Sequence, residues 1–150
     1  MEIYLREALK EDICDLYKYL NREYIKKYSK EEKIEWFKHK EWYKKIIKSE
    51  NHKLLLINDE KYNFLGLIRY DLSRETKEAL VSVFILIENR GRGLAKLALS
   101  KSFKYIKSEN IKFIIAEVLI ENENSIQLFN NLGFIEIDKN EDNYIFKKKL

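Results

Sequence analysis

Arg90, Gly91, Arg92 and Gly93 stand in a row in a chain that holds only four glycines. An apolar run, Ala79–Ile87, precedes them, and a segment with helical apolar spacing opens at Leu94. Glycine lets a backbone adopt left-handed dihedrals and approach a ligand closely. The first turn of a helix presents N–H groups that have no intrahelical partner, together with a partial positive charge. Two arginines add fixed charge and forked donors. The combination is suited to an anion, typically a phosphate or pyrophosphate. A merely structural strand-to-helix turn would leave both the glycine spacing and the charge without a reason. A P-loop is excluded, because no Lys-Ser or Lys-Thr follows Gly93. A dinucleotide fingerprint fails as well, since Lys96 stands where its third glycine belongs.

A second set of residues could move protons or hold a substrate. His39 has the side chain whose ordinary pKa suits proton transfer near neutrality, although Lys38 and Lys40 flank it as on an exposed helix face. Asp71 and Glu41 are further candidates, for the base or for binding substrate hydroxyls. Trp36, Phe37, Trp42 and Tyr43 come two to a helical turn. Trp36 and Phe37 are expected in core and lid packing, and Trp42 and Tyr43 are candidates for a pocket wall. Cys14 is the sole cysteine, so no intrachain disulfide forms, and no metal-site spacing surrounds it. It sits among helix-spaced apolar residues and is expected to be a buried structural thiol. No metal site is expected.

These residues need elements to hold them. Ile3–Ala8 reads as a strand. Ile13, Leu16, Tyr17 and Leu20 follow the spacing of an amphipathic helix. Ser29 with Glu32 has the form of a capping box, and Ile34 and Phe37 continue a helical face. His52–Ile57, Phe64–Leu72 and Ala79–Ile87 read as three consecutive strands, the first two joined by a polar turn. A helix from Leu94, a strand over Ile111–Ile120, a helix ending at Gly133 and two short strands complete the chain. The meander calls for antiparallel pairing, and the later β–α–β step for a right-handed parallel crossover. The fold class is therefore α/β, with a mixed sheet and helices on both faces.

Composition sets the outer bounds. At 150 residues, 45% apolar and without proline or a Ser/Gly linker, the chain is expected to form one domain over residues 1–150. Its 29 basic and 25 acidic residues leave a net charge of +4, a mild excess that suits an anionic small ligand. No dense basic block points to nucleic acid, and the Lys147–Lys149 run reads as a solvated end. No apolar run is long enough to span a membrane, and Glu2 opens no signal peptide, so a cytoplasmic location is expected.

The segment Arg90-Gly91-Arg92-Gly93-Leu94-Ala95 matches the R/Q-x-x-G-x-G/A motif of the GNAT superfamily of acetyl-CoA-dependent N-acetyltransferases. AEVLIENENSIQLFNNLGF, residues Ala116–Phe134, resembles that family's second hallmark, a strand followed by x-x-N-x-x-[SA]-x-x-[LF]-[YF]-x-x-x-G-F. The element order is also the family's. The resemblance implies a mostly antiparallel mixed sheet of about six or seven strands and acetyl-CoA as co-substrate. It implies pyrophosphate contact at Arg90, Gly91, Arg92, Gly93, Leu94 and Ala95. Phe84, Ile85 and Leu86 would run beside the pantetheine arm, with a backbone N–H there polarising the thioester carbonyl. The resemblance implies a cofactor-contacting asparagine, taken as Asn124, while Asn122 and Asn124 are both candidates for a helix N-cap. Phe129 stands where many members carry a tyrosine that protonates the leaving thiolate. A proton donor is thereby absent from that position, and Phe129 is expected to pack beside the cofactor.

The N-terminal half resembles, more narrowly, acetyltransferases that act on the amino group of nucleotide-linked sugars in pseudaminic- and legionaminic-acid-type pathways. Asn21, Arg22, His39, Trp42, Gly66, Arg69, Tyr70 and Asp71 carry this likeness. It implies His39 and Asp71 as catalytic groups, and Asn21, Trp42 and Tyr70 as substrate contacts. The alternatives are the same chemistry on another amine, such as a protein N-terminus, lysine, polyamine or antibiotic, or a non-catalytic acyl-CoA-binding module. Sheet-edge dimers are common in the resembled family, so a homodimer is admitted; nucleic-acid and membrane partners are not expected.

Overall fold

The computed structural model describes residues 2–28 and 35–150. The expected capping box at Ser29 and Glu32, and Ile34, lie outside the described residues. Seven strands form one sheet in the order β1-β2-β3-β4-β5-β7-β6. In chain order they are β1 (Tyr4–Glu7), β2 (His52–Asn58), β3 (Phe64–Ser73), β4 (Glu78–Ile85), β5 (Phe113–Leu119), β6 (Ile135–Lys139) and β7 (Asn143–Lys149). Helices α1 (Ile13–Tyr28) and α2 (Trp36–Lys48) precede β2. Helix α3 (Leu94–Lys107) joins β4 to β5, and α4 (Glu123–Asn131) follows β5. Every neighbouring pair is antiparallel except β4 and β5. The mixed sheet expected from the sequence is present. The third strand of the meander stops at Ile85, two residues early, and Ile87–Asn89 form a 3-10 turn.

Strand alternation sorts side chains onto two faces. Ala79, Val81 and Ile85 of β4 share the larger core with Leu94, Ala98, Leu99, Phe129, Phe134 and Phe146 beneath α3 and α4. Leu54, Leu56 and Leu67 pack on the other face with Leu16, Tyr43 and Ile46 from α1 and α2. The inward face of α2 is set by His39, Tyr43 and Ile46, spaced four and three residues apart. That spacing turns Phe37 outward, where it is 70% exposed, and leaves Trp36 exposed as well; neither is the core residue the pattern suggested. Tyr43 is interior rather than a pocket wall, and its hydroxyl donates to Leu9 O. Cys14 is exposed instead of buried. It falls one position off the Ile13, Leu16, Tyr17, Leu20 stripe.

Gly66 sits inside β3 opposite Ile85. A Cβ placed there would lie 2.1 Å from Phe84 O, a backbone atom with no room to yield. The close approach of β3 and β4 at this point therefore requires glycine. Gly66→Ala is expected to lower stability by about 1–3 kcal/mol, the usual range for overpacking. Urea unfolding checks it, and a midpoint equal to that of the unaltered chain would contradict this reading.

Candidate functional site

The β4–β5 ladder is short. Its pairs are Glu78 with Phe113, Ala79 with Ile114 and Leu80 with Ile115, and there it stops. β4 continues to Ile85 along β3, and β5 continues to Leu119 along β7. Past Leu80 and Ile115 the two parallel strands therefore diverge into a wedge, bordered by Val81–Ile85 on one side and Ala116–Leu119 on the other. Backbone polar groups on these inner edges have no strand partner. An extended ligand with its own amides could satisfy them, as an added strand would.

Alternation identifies which groups face the wedge. The Leu86 N–H donates to Leu65 O, on the β3 side, at 2.9 Å. Polar groups of adjacent residues in a strand point to opposite edges. The N–H and C=O of Ile85 therefore face away from β3, toward the wedge. Arg90 agrees with this, since its Nε donates to Ile85 O at 2.8 Å. The arginine thereby folds the loop back over the end of β4.

At the mouth of the wedge lies the turn Arg90–Gly93. Gly91 and Gly93 have φ of 78° and 74°, in the left-handed region that penalises any side chain. A Cβ at either would meet nothing within 4 Å, so the loop surface is open. Gly93 is the N-cap of α3 and supplies no capping side chain, and the first turn holds no acidic residue. The N–H groups of Leu94, Ala95 and Lys96 are thus left for an outside acceptor. Arg92 is exposed beside them with no described partner, and Lys96 is exposed in the same turn. Donors, charge and open backbone together fit a pyrophosphate. Leu94 is buried and anchors the turn to the core.

The second helix N-terminus lies at the far end of β5. Asn122 caps α4, its Oδ1 accepting from the Ser125 N–H at 3.1 Å. That assignment frees Asn124, which is exposed in the first turn and has no described hydrogen bond. Phe129 is buried edge-on to Phe134, with ring centroids 5.0 Å apart, and stacked on Phe146. Phe146 pairs with Ala116 at the start of the wedge, so this aromatic cluster backs the wedge from the α4 side.

The remaining sequence candidates disperse. Tyr70 is 0% exposed on the α3 face, with its hydroxyl 2.6 Å from Ser102 Oγ. Burial raises the pKa of its phenol. Its side chain thus belongs to the core beneath α3, where the sequence suggested a substrate contact. His39 is 2% exposed, ringed by Tyr17, Trp36, Trp42 and Tyr43. Its Nε2–H donates to Ile13 O at 3.0 Å, which ties α2 to the start of α1. Desolvation lowers its pKa below the usual histidine value. This geometry makes His39 a clamp between α2 and α1, enclosed by aromatic rings where the sequence suggested an accessible base. Asp71 lies opposite Leu80, where the sheet is still closed, five residues from Gly66; that is about 17 Å along a strand. Its Oδ1 accepts from Arg69 Nε at 2.8 Å and lies 3.4 Å from His52 Nε2. Trp42 is half-buried beneath the Arg69 guanidinium, 5.7 Å from ring to Cζ. Asn21 is half-buried on α1 beside Arg22, whose Nη2 donates to the Glu88 carboxylate in the β4–α3 turn.

The profile of the acetyltransferase (GNAT) domain matches residues 2–135. A spermidine N(1)-acetyltransferase of Vibrio cholerae serotype O1 is 25% identical over 138 residues, 90% of this chain and 80% of that protein. The solved structure of spermidine N-acetyltransferase from Vibrio cholerae, in complex with CoA and spermine, superposes with a TM-score of 0.83 at 20% identity. The match covers 98% of this chain and 95% of that one. A domain from Methanocaldococcus jannaschii DSM 2661 superposes with a TM-score of 0.81 at 24% identity, over 99% of both chains.

The buried His39 makes a pH prediction. An unfolded histidine takes up a proton near pH 6.5, and the folded ring, with its lowered pKa, resists doing so. The unfolded state then binds more protons, so stability falls as the pH drops below about 6.5. In His39→Phe this contribution is absent. Denaturation at pH 7.5 and 5.5 should show the unaltered chain losing more stability on acidification than the variant. Equal losses would argue against a neutral clamp.

Proposed function

The chain belongs to the GNAT acetyltransferase family and is an acetyl-CoA-dependent N-acetyltransferase, and we propose that its acceptor is an aliphatic polyamine of the spermidine type. The observation that carries this reading is the near-full-length match to a spermidine N(1)-acetyltransferase. From the sequence, a nucleotide-linked amino sugar came first, on the mild positive net charge and scattered N-terminal residues. Of those residues, Tyr70 and Gly66 are buried and His39 clamps two helices, so they lend that reading no support. A net charge of +4 also says little about the local field in one groove, because exposed charges are screened beyond about 8–10 Å in salt.

Acetyl-CoA supplies an activated acyl group as a thioester. The wedge and the α3 N-terminus are where we place it. Leu94, Ala95 and Lys96 offer backbone N–H groups to the pyrophosphate, and Arg92 adds a guanidinium. Val83 and Ile85 present strand groups to the amide-bearing arm, and the Ile85 N–H is the donor assigned to the acyl carbonyl. Asn124 flanks the same end of the wedge. Phe129 holds the wall behind Ala116 and offers no proton. A thiol pKa near ~8.5 makes departure without a side-chain acid tolerable.

The acceptor must lose its ammonium proton before its nitrogen can attack. His39 is enclosed and Asp71 is held by Arg69 and His52, so neither is assigned that task. Trp42 and Arg69 form one wall on the α2 side of the sheet.

Thiol release from acetyl-CoA, with mass spectrometry of the product, tests the reading. Spermidine should be acetylated faster than a UDP-linked amino sugar, a peptide or an aminoglycoside. A chain that turns over the sugar nucleotide and leaves spermidine untouched would overturn the polyamine assignment. Arg92→Ala should raise the KM for acetyl-CoA by roughly tenfold, the scale of one hydrogen bond to a charged group, with the KM for spermidine unchanged.

A further inference from the structure

Leu80 and Ile115 are partners, so their side chains share one face of the sheet. Val81, Ala116 and Val118 all belong to the core beneath α3 and α4. The side chains that flank the wedge on the opposite, α2 face are therefore Ser82 and Phe84 on β4 and Glu117 and Leu119 on β5. Phe84 packs against the α2-side core, while Ser82 and Glu117 are exposed, although both lie in interior strands of a seven-stranded sheet. One side of the wedge is thus dry, and the other is open and carries a carboxylate.

Among the described residues, the cations nearest to Glu117 in the strand register of this face are committed elsewhere. Lys147, opposite Ile115 on β7, lies 3.0 Å from Glu78 and 4.3 Å above the Phe113 ring. Arg69, opposite Ser82, donates to Asp71 and stacks on Trp42. Glu117 itself faces Ile145 across the β5–β7 pair. No described residue forms an ion pair or hydrogen bond with its carboxylate. Asp71, on the same face where the sheet is still closed, is held by Arg69 and His52.

Resting on the polyamine reading, we infer that Glu117 is the carboxylate that receives a cationic nitrogen of the acceptor at the open face of the wedge. It lies two residues beyond the last β4–β5 pair, beside the edge that would hold the acyl donor. An ammonium placed against it gains a charge-assisted hydrogen bond, and a nucleotide phosphate placed there would be repelled. The role is recognition and not proton abstraction. Carboxylates as a class are far less basic than the aliphatic amine that must give up its proton.

Glu117→Gln keeps the shape and removes the charge. Spermidine titrations of kcat and KM, with calorimetric binding of spermidine to the CoA-loaded protein, read the effect. The KM and the dissociation constant for spermidine should both rise by about tenfold, the scale of one hydrogen bond to a charged group. The value of kcat should stay within about twofold, CoA affinity should not move, and Glu117→Asp should recover part of the loss. Because Glu117 is exposed, the melting temperature should not change, which excludes misfolding as the cause. A Gln variant that binds and acetylates spermidine as the unaltered chain does would overturn the inference and leave the polyamine reading intact. An unaltered chain that neither binds nor acetylates spermidine would overturn both. Loss of kcat at constant KM would also overturn it, since it would assign Glu117 to the chemistry.

Discussion

A hydrogen-bond ladder that ends after three pairs governs this molecule. β4 and β5 are the sole parallel neighbours among the described strands, and they separate beyond Leu80 and Ile115. Parallel strands need a long crossover, and here the crossover is α3. The helix enters from the β4 side through the Gly91–Gly93 turn, so its N-terminus lies at the mouth of the gap that its own connection opens. An anion site and a free strand edge thus come from a single topological feature. Arg90 binds the two together through Ile85 O.

The sheet also divides its two faces unequally. α3 and α4 cover one face with an apolar layer that includes Val81, Ala116 and Phe129. α1 and α2 cover the other face over Leu54, Leu56 and Leu67. On that face Glu117 and Leu119 of β5 remain exposed. Under the proposed reading, acyl donor and acceptor would approach the wedge from different directions, one along the strand edge and one from this face. The helices on that face are held by buried polar contacts, His39 to Ile13 O and Tyr43 to Leu9 O, so that the wall bearing Trp42 stays in register.

Much of this was legible in the sequence because it follows from local rules. The RGRG turn declared its dihedrals through glycine, and the meander and crossover declared the sheet through alternation and spacing. Gly66 is a different case: its steric requirement comes from Phe84 O on a neighbouring strand, and no local pattern encodes that. The pocket residues were harder still. His39 and Tyr70 have side chains that can do chemistry, and their types alone suggested a site. Their faces were decided by the phase of α2 and by the parity of β3, and both phases point inward. Cys14 and Phe37 erred in the other direction, apolar by type and outward by phase. Glu117 could have been found by parity, since it alternates with Ala116 and Val118, both of them suited to a core. The signal was missed because a single acidic residue in an apolar strand reads as an ordinary surface position.

The unpaired strand edges of the wedge carry a cost in the empty protein that mass action can lift. A ligand that binds the folded chain and not the unfolded one adds RT ln(1 + [L]/Kd) to stability, about 2.7 kcal/mol at a hundred times Kd. Exposed edges are at the same time templates for unwanted pairing. Under the placement proposed for acetyl-CoA, the supply of acyl donor would then bear on more than turnover: an occupied wedge would gain that margin against unfolding, and its strand edges would be closed to unwanted pairing.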